Sequence, residues 1–323
     1  MMDESDLSFD LTDEEEQLQA RVAWYYYFGD LTQQQIATRM RTSRVRINRL
    51  LSASRHSGIV QIRINSKLSE CVSLEQEIER RYGLAKAIVV PVLADDIDVS
   101  NAVGAGAGAF LNTQFADGQT VAIGWGRTMA HTLRAINGAN YRKMNLVSMQ
   151  GGLSYCPSIN TFQIVSEFAN RLGASCHYFA APIYASSGAI RDAFLEQETI
   201  HETCLRARKA DLALAALGDM TQSLVVSYGI GRKQDIEGLR RAGAVGDVLG
   251  QFVDAYGQLV DHELNRRVVA VGLDDLRAIP NVVVAAGGKH KFKIIRAVLR
   301  GRYANMLVTD EMNARRLAYD EED

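Results

Sequence analysis

The 323-residue chain has little of what would mark a small secreted protein or a membrane protein. Its four cysteines, Cys71, Cys156, Cys176 and Cys204, lie far apart with no C-x-x-C pair, which argues for reduced thiols and against a disulfide framework or a metal site. No apolar run reaches eighteen residues, so no segment reads as a membrane-spanning helix. The stretch Met1–Glu16 is acidic, unlike a secretory or transit peptide. Only four prolines occur, and no low-complexity linker or internal repeat. The expectation is a cytoplasmic protein without cofactor or metal, long enough for one small and one large domain.

The most informative absence is local. The chain as a whole carries a formal charge of −2, yet between Leu31 and Asn65 there is no Asp or Glu and there are seven arginines: Arg39, Arg41, Arg44, Arg46, Arg49, Arg55 and Arg63. Such a stripe is the electrostatic footprint of a duplex DNA binder, because each Arg can replace a condensed counterion on a phosphate.

The same stretch reads as a helix–turn–helix followed by a wing. A first helix begins in the acidic run Asp13–Glu16, where carboxylates suit the positive end of the helix dipole, and ends at Trp24–Phe28 before Gly29 and Asp30. Thr32 stands three residues before Gln35, the spacing of a capping box, so a second helix starts there with Ile36, Ala37 and Met40 facing inward. After a break at Arg41–Ser43, Ser43 caps a third helix. Val45, Ile47, Leu50 and Leu51 are its apolar positions, which points Arg44, Arg46, Asn48, Arg49 and Ser52 outward. The N-terminal end of this helix is placed to enter the major groove, arginines toward guanine edges and Asn48 toward an adenine edge or a phosphate. Thr32, Gln33, Thr42 and Ser43 flank that contact surface. Gly58 ends the helix, and Ile59–Ile64 alternates as a wing strand with Arg63 directed at backbone phosphate.

The segment AWYYYFGDLTQQQIATRMRTSRVRINRLLSASRHSGIVQIRI resembles the N-terminal DNA-binding region of the SorC/DeoR-type sugar-binding transcriptional regulators. That family often has a glycine in the turn where this chain has Arg41. Either Arg41 accepts a left-handed backbone or the turn differs.

Residues 1–65 are thus expected to be a winged helix–turn–helix domain, 66–83 a connector helix and 84–323 an effector domain. The connector, roughly Ser66–Tyr82, carries Leu68, Val72, Leu74, Ile78 and Tyr82, and could also be part of a dimer seam. From Leu84 onward short β-rich runs alternate with helical spacing. Ala87–Val92, Thr120–Ile123, Leu146–Met149, Ser175–Phe179, Asp211–Leu217, Val268–Val271, Val282–Ala286 and Met306–Val308 read as strands. Val99–Phe115, Thr128–Ile136, Thr161–Leu172 and Phe292–Arg300 read as helices. This alternation predicts an α/β fold with a mainly parallel sheet. In such sheets ligands bind beyond the carboxyl ends of strands, near the point where strand order reverses.

The loops after the strands carry suitable chemistry. Gly124-Trp-Gly-Arg-Thr128 joins a strand to a helix, where backbone N–H groups can face an anion and Arg127 or Thr128 can complete the cradle. Gln150-Gly-Gly152, Asn160, Asp247 and Lys289 add hydrogen-bonding and cationic side chains suited to a sugar. The stretches IGWGRTM, SMQGG, AAP, GAVGD and AAGGKHKFKIIRAVLRGRYANMLVTDE follow the order of landmarks in the same family's effector domain, so the likeness runs from about Ala23 to Ala318. The resemblance implies a fold related to sugar-phosphate isomerases and a sugar, polyol or sugar-phosphate ligand. Gly124, Gly126, Arg127, Thr128, Gln150, Gly151, Asn160, Asp247 and Lys289 would line the pocket. Family members that bind phosphosugars tend to have a cation near Gln150. The amide here favours an uncharged or weakly charged ligand such as a polyol of the erythritol type, while Arg127 and Lys289 favour an anion.

The function that follows is operator binding, expected to repress a carbohydrate-use operon and to be released by an effector, in a homo-oligomer (dimer or tetramer) that matches a symmetric operator. The alternative is a sugar-phosphate isomerase-like enzyme using Asp247, Asp310, Glu311 and His290. It leaves the basic N-terminal region without a use, and Asp310-Glu311 more simply opens the last helix. Gly104-Ala-Gly-Ala-Gly108 lies inside a helix, too far from a strand to make a dinucleotide turn, and serves close packing instead.

Overall fold

The computed structural model describes residues 4–29, 31–56, 59–60, 67–91, 99–154, 159–222, 225 and 233–319. Asp30, Gly58, Cys156 and most of the expected wing, Arg63 included, lie outside the described residues. The chain divides into two compact units, Met1–Asn65 and Ser66–Asp323.

In the small unit α1 (Glu4–Tyr27), α2 (Gln33–Arg39) and α3 (Arg44–His56) close over Val22, Ala23, Ile36, Ala37, Ile47, Leu50 and Leu51. The capping box forms: Gln35 N donates to Thr32 Oγ1 at 3.3 Å, and Gln35 Oε1 accepts from Thr32 N at 2.9 Å. Ser43 Oγ accepts from Arg46 N at 3.2 Å and so starts α3. Arg41 adopts the left-handed conformation, φ 51°, that the missing turn glycine required. Two details differ from expectation. α1 begins at Glu4; the acidic run at Asp13 continues a helix already formed, because glutamate is as good a helix interior residue as an N-terminal one. Val45 is 67% exposed, since the buried stripe of α3 is completed by Ile47, Leu50 and Leu51 without it.

The larger unit opens with α4 (Lys67–Tyr82) and continues β1 (Lys86–Val90), α5 (Val99–Leu111), β2 (Thr120–Ile123), α6 (Arg127–Ala135), β3 (Asn145–Ser148), α7 (Thr161–Leu172) and β4 (Ser175–His177). Next come α8 (Gly188–Glu196), α9 (Glu198–Arg208), β5 (Leu212–Asp219), α10 (Lys233–Arg241), β6 (Gly246–Val248) and β7 (Gln251–Val253). The chain ends with α11 (Glu263–Arg267), α12 (Leu273–Ala278), β8 (Val282–Ala285), α13 (Phe292–Arg300), β9 (Met306–Asp310) and α14 (Glu311–Tyr319). The main sheet is parallel in the order β1-β9-β8-β5-β2-β3-β4. One apolar layer (Leu111, Met129, Phe168 and neighbours) covers one face, and another (Ile78, Phe292, Val298 and neighbours) covers the other, as a doubly wound sheet demands.

Helix α4 packs within this unit, with Cys71, Leu74 and Ile78 in the second layer and Val72 exposed. It also covers the sheet edge. Glu79 Oε1 accepts from Ala87 N at 2.8 Å and Glu75 Oε1 from Val89 N at 2.9 Å, satisfying N–H groups of the edge strand β1. The glycine-rich run in α5 does serve close packing. A Cβ at Gly104 would lie 2.5 Å from His131 Cβ, and one at Gly108 would lie 2.6 Å from Ala135 Cβ, both on α6.

The sheet departs from the sequence reading in two places. Val268–Val271 forms only isolated bridges, Val268 with Tyr184 and Ala270 with Gln150. The antiparallel pair β6–β7 was not anticipated; Leu249 at φ 53° and Gly250 at φ 75° make its turn.

Candidate functional site

In the small unit the exposed surface of α3 carries Arg44, Val45, Arg46, Asn48 and Arg49. Arg44 Nε donates to Gln33 Oε1 at 3.4 Å, which ties the start of α3 to the start of α2. Thr32 and Ser43 are exposed, and both serve as caps, so their hydroxyls are engaged with backbone. Thr42 is half-buried. Arg39 lies over the Tyr25 ring, 5.0 Å from its centre, so it is partly committed to the unit itself.

In the larger unit strand order reverses between β2 and β5. From β2 the chain steps outward to β3 and β4; from β5 it steps the other way to β8 and β9. The carboxyl ends of these two neighbours therefore define the crevice where a doubly wound sheet holds a ligand.

From β2, Gly124 and Gly126 lead into α6. Gly126 has φ 126°, open to glycine alone, and no side chain caps the helix it starts. Arg127 is exposed and donates to Gln222 O at 3.1 Å, spanning from the end of β2 to the turn after β5. Thr128 is buried.

From β5, Asp219 is 2% exposed. Its Oδ1 accepts from Thr221 N at 2.7 Å and Gln222 N at 2.9 Å, and its Oδ2 lies 3.0 Å from Lys291 Nζ. Burial alone would raise its pKa, but the Lys291 ammonium and the hydrogen bonds from Thr221 and Gln222 prevail and hold it at about 2. Lys291 also donates to Leu217 O at 2.6 Å.

Asp247, on β6, is 4% exposed. Oδ2 accepts from Gly250 N at 3.1 Å, while Oδ1 is buried with no partner. Burial raises its pKa to about 6, against the opposing pull of Lys291 and the Gly250 N–H. Gln150, at the end of β3, is fully buried with both amide atoms unpartnered. Gln150 and Asp247 thus keep buried hydrogen-bonding capacity that no described residue uses.

The structure gathers most of the expected residues at the strand ends and redistributes their work. Asn160 exchanges hydrogen bonds with Leu153 through both amide atoms, so it fixes the Gly151–Leu153 loop. Lys289 is exposed, in the turn Lys289–Lys291 after β8; the inward cation is Lys291, which sequence spacing did not single out. His290 sits 3.8 Å from Asp219 Oδ2, and burial lowers its pKa despite that carboxylate. Asp310 accepts from Gly288 N at 2.8 Å and from Asn313 at 2.6 Å, so it buttresses the loop that carries these cations. A separate groove of about 270 Å³ lies against α9 where β2 and β3 begin, and holds none of the expected site residues. Among the described residues no helix is long and apolar enough to cross a membrane.

Comparison with known proteins agrees with the fold. Residues 66–318 match the family described as "Putative sugar-binding domain". The chain is 34% identical over 309 residues to the transcriptional regulator LsrR of Enterobacter sp. (strain 638), covering 93% of this chain and 92% of that protein. Among solved structures, the full-length sorbitol operon regulator SorC from Klebsiella pneumoniae is similar with a TM-score of 0.72 and 25% identity, covering 95% of this chain and 100% of that one. The structure described as "Putative Sugar-Binding Domain of Transcriptional Repressor from Vibrio fischeri" gives 0.70 and 31%, covering 76% and 97%. An α/β unit with a crevice at its switch point, in a chain that also carries a basic three-helix unit, therefore belongs to the SorC/DeoR-type family of sugar-binding transcriptional regulators.

Proposed function

We propose that this chain binds operator DNA through α3 and that a small polyhydroxylated effector in the larger unit controls that binding. The carrying observation is the pair of buried, unpartnered side chains Gln150 and Asp247 at the end of the sheet where α6 starts uncapped. The amide and carboxylate suit hydroxyl groups. The helix start, with exposed Arg127 and Lys289, suits an anion. These demands fall on different parts of the crevice, so a sugar or polyol bearing a phosphate or carboxylate meets both. The neutrality of Gln150 then sets no limit on charge.

The action is repression of a carbohydrate-use operon in the cytoplasm. An effector that binds better to a state with misplaced DNA-binding units weakens operator affinity by its differential affinity alone. A symmetric operator calls for a dimer or tetramer, with exposed parts of α4 as one candidate seam. What supports regulation over catalysis is that Asp310 is held by Gly288 N and Asn313, and Asp219 by Lys291, so these two carboxylates are engaged in holding the loops.

The test is a gel shift on DNA upstream of the gene, repeated with sugars, polyols and their phosphates. A specific shift relieved by one compound is the expected result. A shift with no sequence preference, or none relieved by any compound, counts against the reading.

A further inference from the structure

At 3.6 residues per turn the buried stripe of α3, formed by Ile47, Leu50, Leu51 and Ser54, fixes where every other side chain of the helix points. Val45 falls within roughly 20° of the direction opposite that stripe, with Arg49 about 30° to one side and Asn48 about 70° to the other. Arg44 and Arg46 stand about 90° or more away, on the flanks. The residue at the centre of the outward face is thus an aliphatic one, 67% exposed, on a helix whose other exposed positions near its start are basic or polar.

Nothing among the described residues of the unit explains a valine there. It adds nothing to the core, and a β-branched residue on an exposed helix position is less favourable than alanine, lysine or glutamine. In a helix laid along the major groove, flanking side chains reach the phosphate walls and the central one meets the base edges. The apolar feature on those edges is the thymine 5-methyl group. Seven arginines with no acidic residue from Leu31 to Asn65 match a polyanionic duplex as the partner of this face.

We propose that Val45 reads a thymine methyl group in each operator half-site and so sets part of the sequence specificity, with Asn48 and Arg49 on neighbouring base edges and Arg44 and Arg46 on phosphate. The inference rests on the operator-binding reading and adds a specificity determinant to it.

The experiment begins with binding-site selection from random duplex DNA by the full-length protein. Each thymine of the enriched site is then replaced by deoxyuridine, which removes only the methyl group. One thymine per half-site should weaken binding about fourfold when replaced, the factor expected for one buried methyl-sized group. 5-Methylcytosine should recover the contact better than cytosine at that position. With Val45→Ala the deoxyuridine and thymine sites should bind equally. Indifference of the wild-type protein to every replacement overturns the proposal without any variant. Retention of the methyl preference by Val45→Ala also overturns it, because another residue then reads the base. A selection that enriches no sequence removes the operator reading itself, and Val45 loses its role with it.

Discussion

The two units of this protein handle polar groups in opposite ways. On α3 Arg44, Arg46 and Arg49 are exposed, and the partner proposed for them is the DNA of another molecule. At the strand ends of the larger unit three carboxylates are buried. Asp310 is held by Gly288 N and Asn313, Asp219 is paired with Lys291 at 3.0 Å, and Asp247 keeps an oxygen without a partner. Exposed charge of one sign is governed by salt, because affinity comes from counterion release. Buried charge is governed by protons, because desolvation shifts pKa values into reach. Operator affinity should therefore follow ionic strength, and effector affinity should follow pH.

The comparison can be broken most forcefully at Lys291. Lys291→Ala leaves the buried Asp219 and the Leu217 carbonyl without their cation, and should cost about 3 kcal/mol of stability, read by chemical denaturation of the full chain. A loss under about 1 kcal/mol would mean that water replaces the ammonium beside Asp219.

Asp247 sharpens the contrast with the opposite sign. Its folded pKa of about 6 lies above the ordinary carboxylate value, so the native state favours the protonated acid. Its contribution to stability is fully present below the ordinary value near 3.8 and is lost as pH rises through about 6. Asp247→Asn should remove that loss and raise stability at pH 8 by up to about 3 kcal/mol, with little effect at pH 4. Effector binding should fall at the same time. Equal melting temperatures for variant and wild type at pH 8 would count against a strained, ionised Asp247.

On the other unit the effects are smaller and are read in salt. Arg44→Ala should lower the slope of log affinity against log salt by about 1 and weaken all sequences alike. Arg49→Ala should cost about 1–3 kcal/mol on the specific site and relax its sequence preference. Identical behaviour of the two variants would erase the distinction between flank and centre of α3. The least effect is expected at the turn: Arg41→Gly relieves a positive φ and should stabilise the small unit by under about 1 kcal/mol, visible as a slightly higher melting temperature.

Much of this arrangement was legible in the residues, and the parts that were not share a cause. Periodicity reports which face of an element is apolar, so α7 and α13 were found at their observed bounds and β2 likewise. Capping chemistry is local, so Thr32, Gln35 and Ser43 could be read directly. The hairpin β6–β7 escaped because Leu249-Gly250 lacks the Asn-Gly or Asp-Gly signature of a tight turn, and its strands are only three residues long. Lys291 escaped because Lys289, His290 and Lys291 are equivalent as a string. The short helical turn after β8 directs one cation inward and leaves another outside, and only packing decides which. Val45 was assigned to the core for a similar reason: apolar character suggests burial, and position on the helix overruled it.

The glutamates of α4 that meet the backbone of β1 have a consequence for assembly. A sheet with two bare edges can add copies at both and grow without limit; a sheet with one edge closed cannot. Here one margin is occupied by carboxylates from the chain itself, and the other, β4, pairs only with β3 among the described strands. Strand addition at the β1 margin would therefore have to displace Glu75 and Glu79 from the Ala87 and Val89 N–H groups, so this margin is already committed to its own chain.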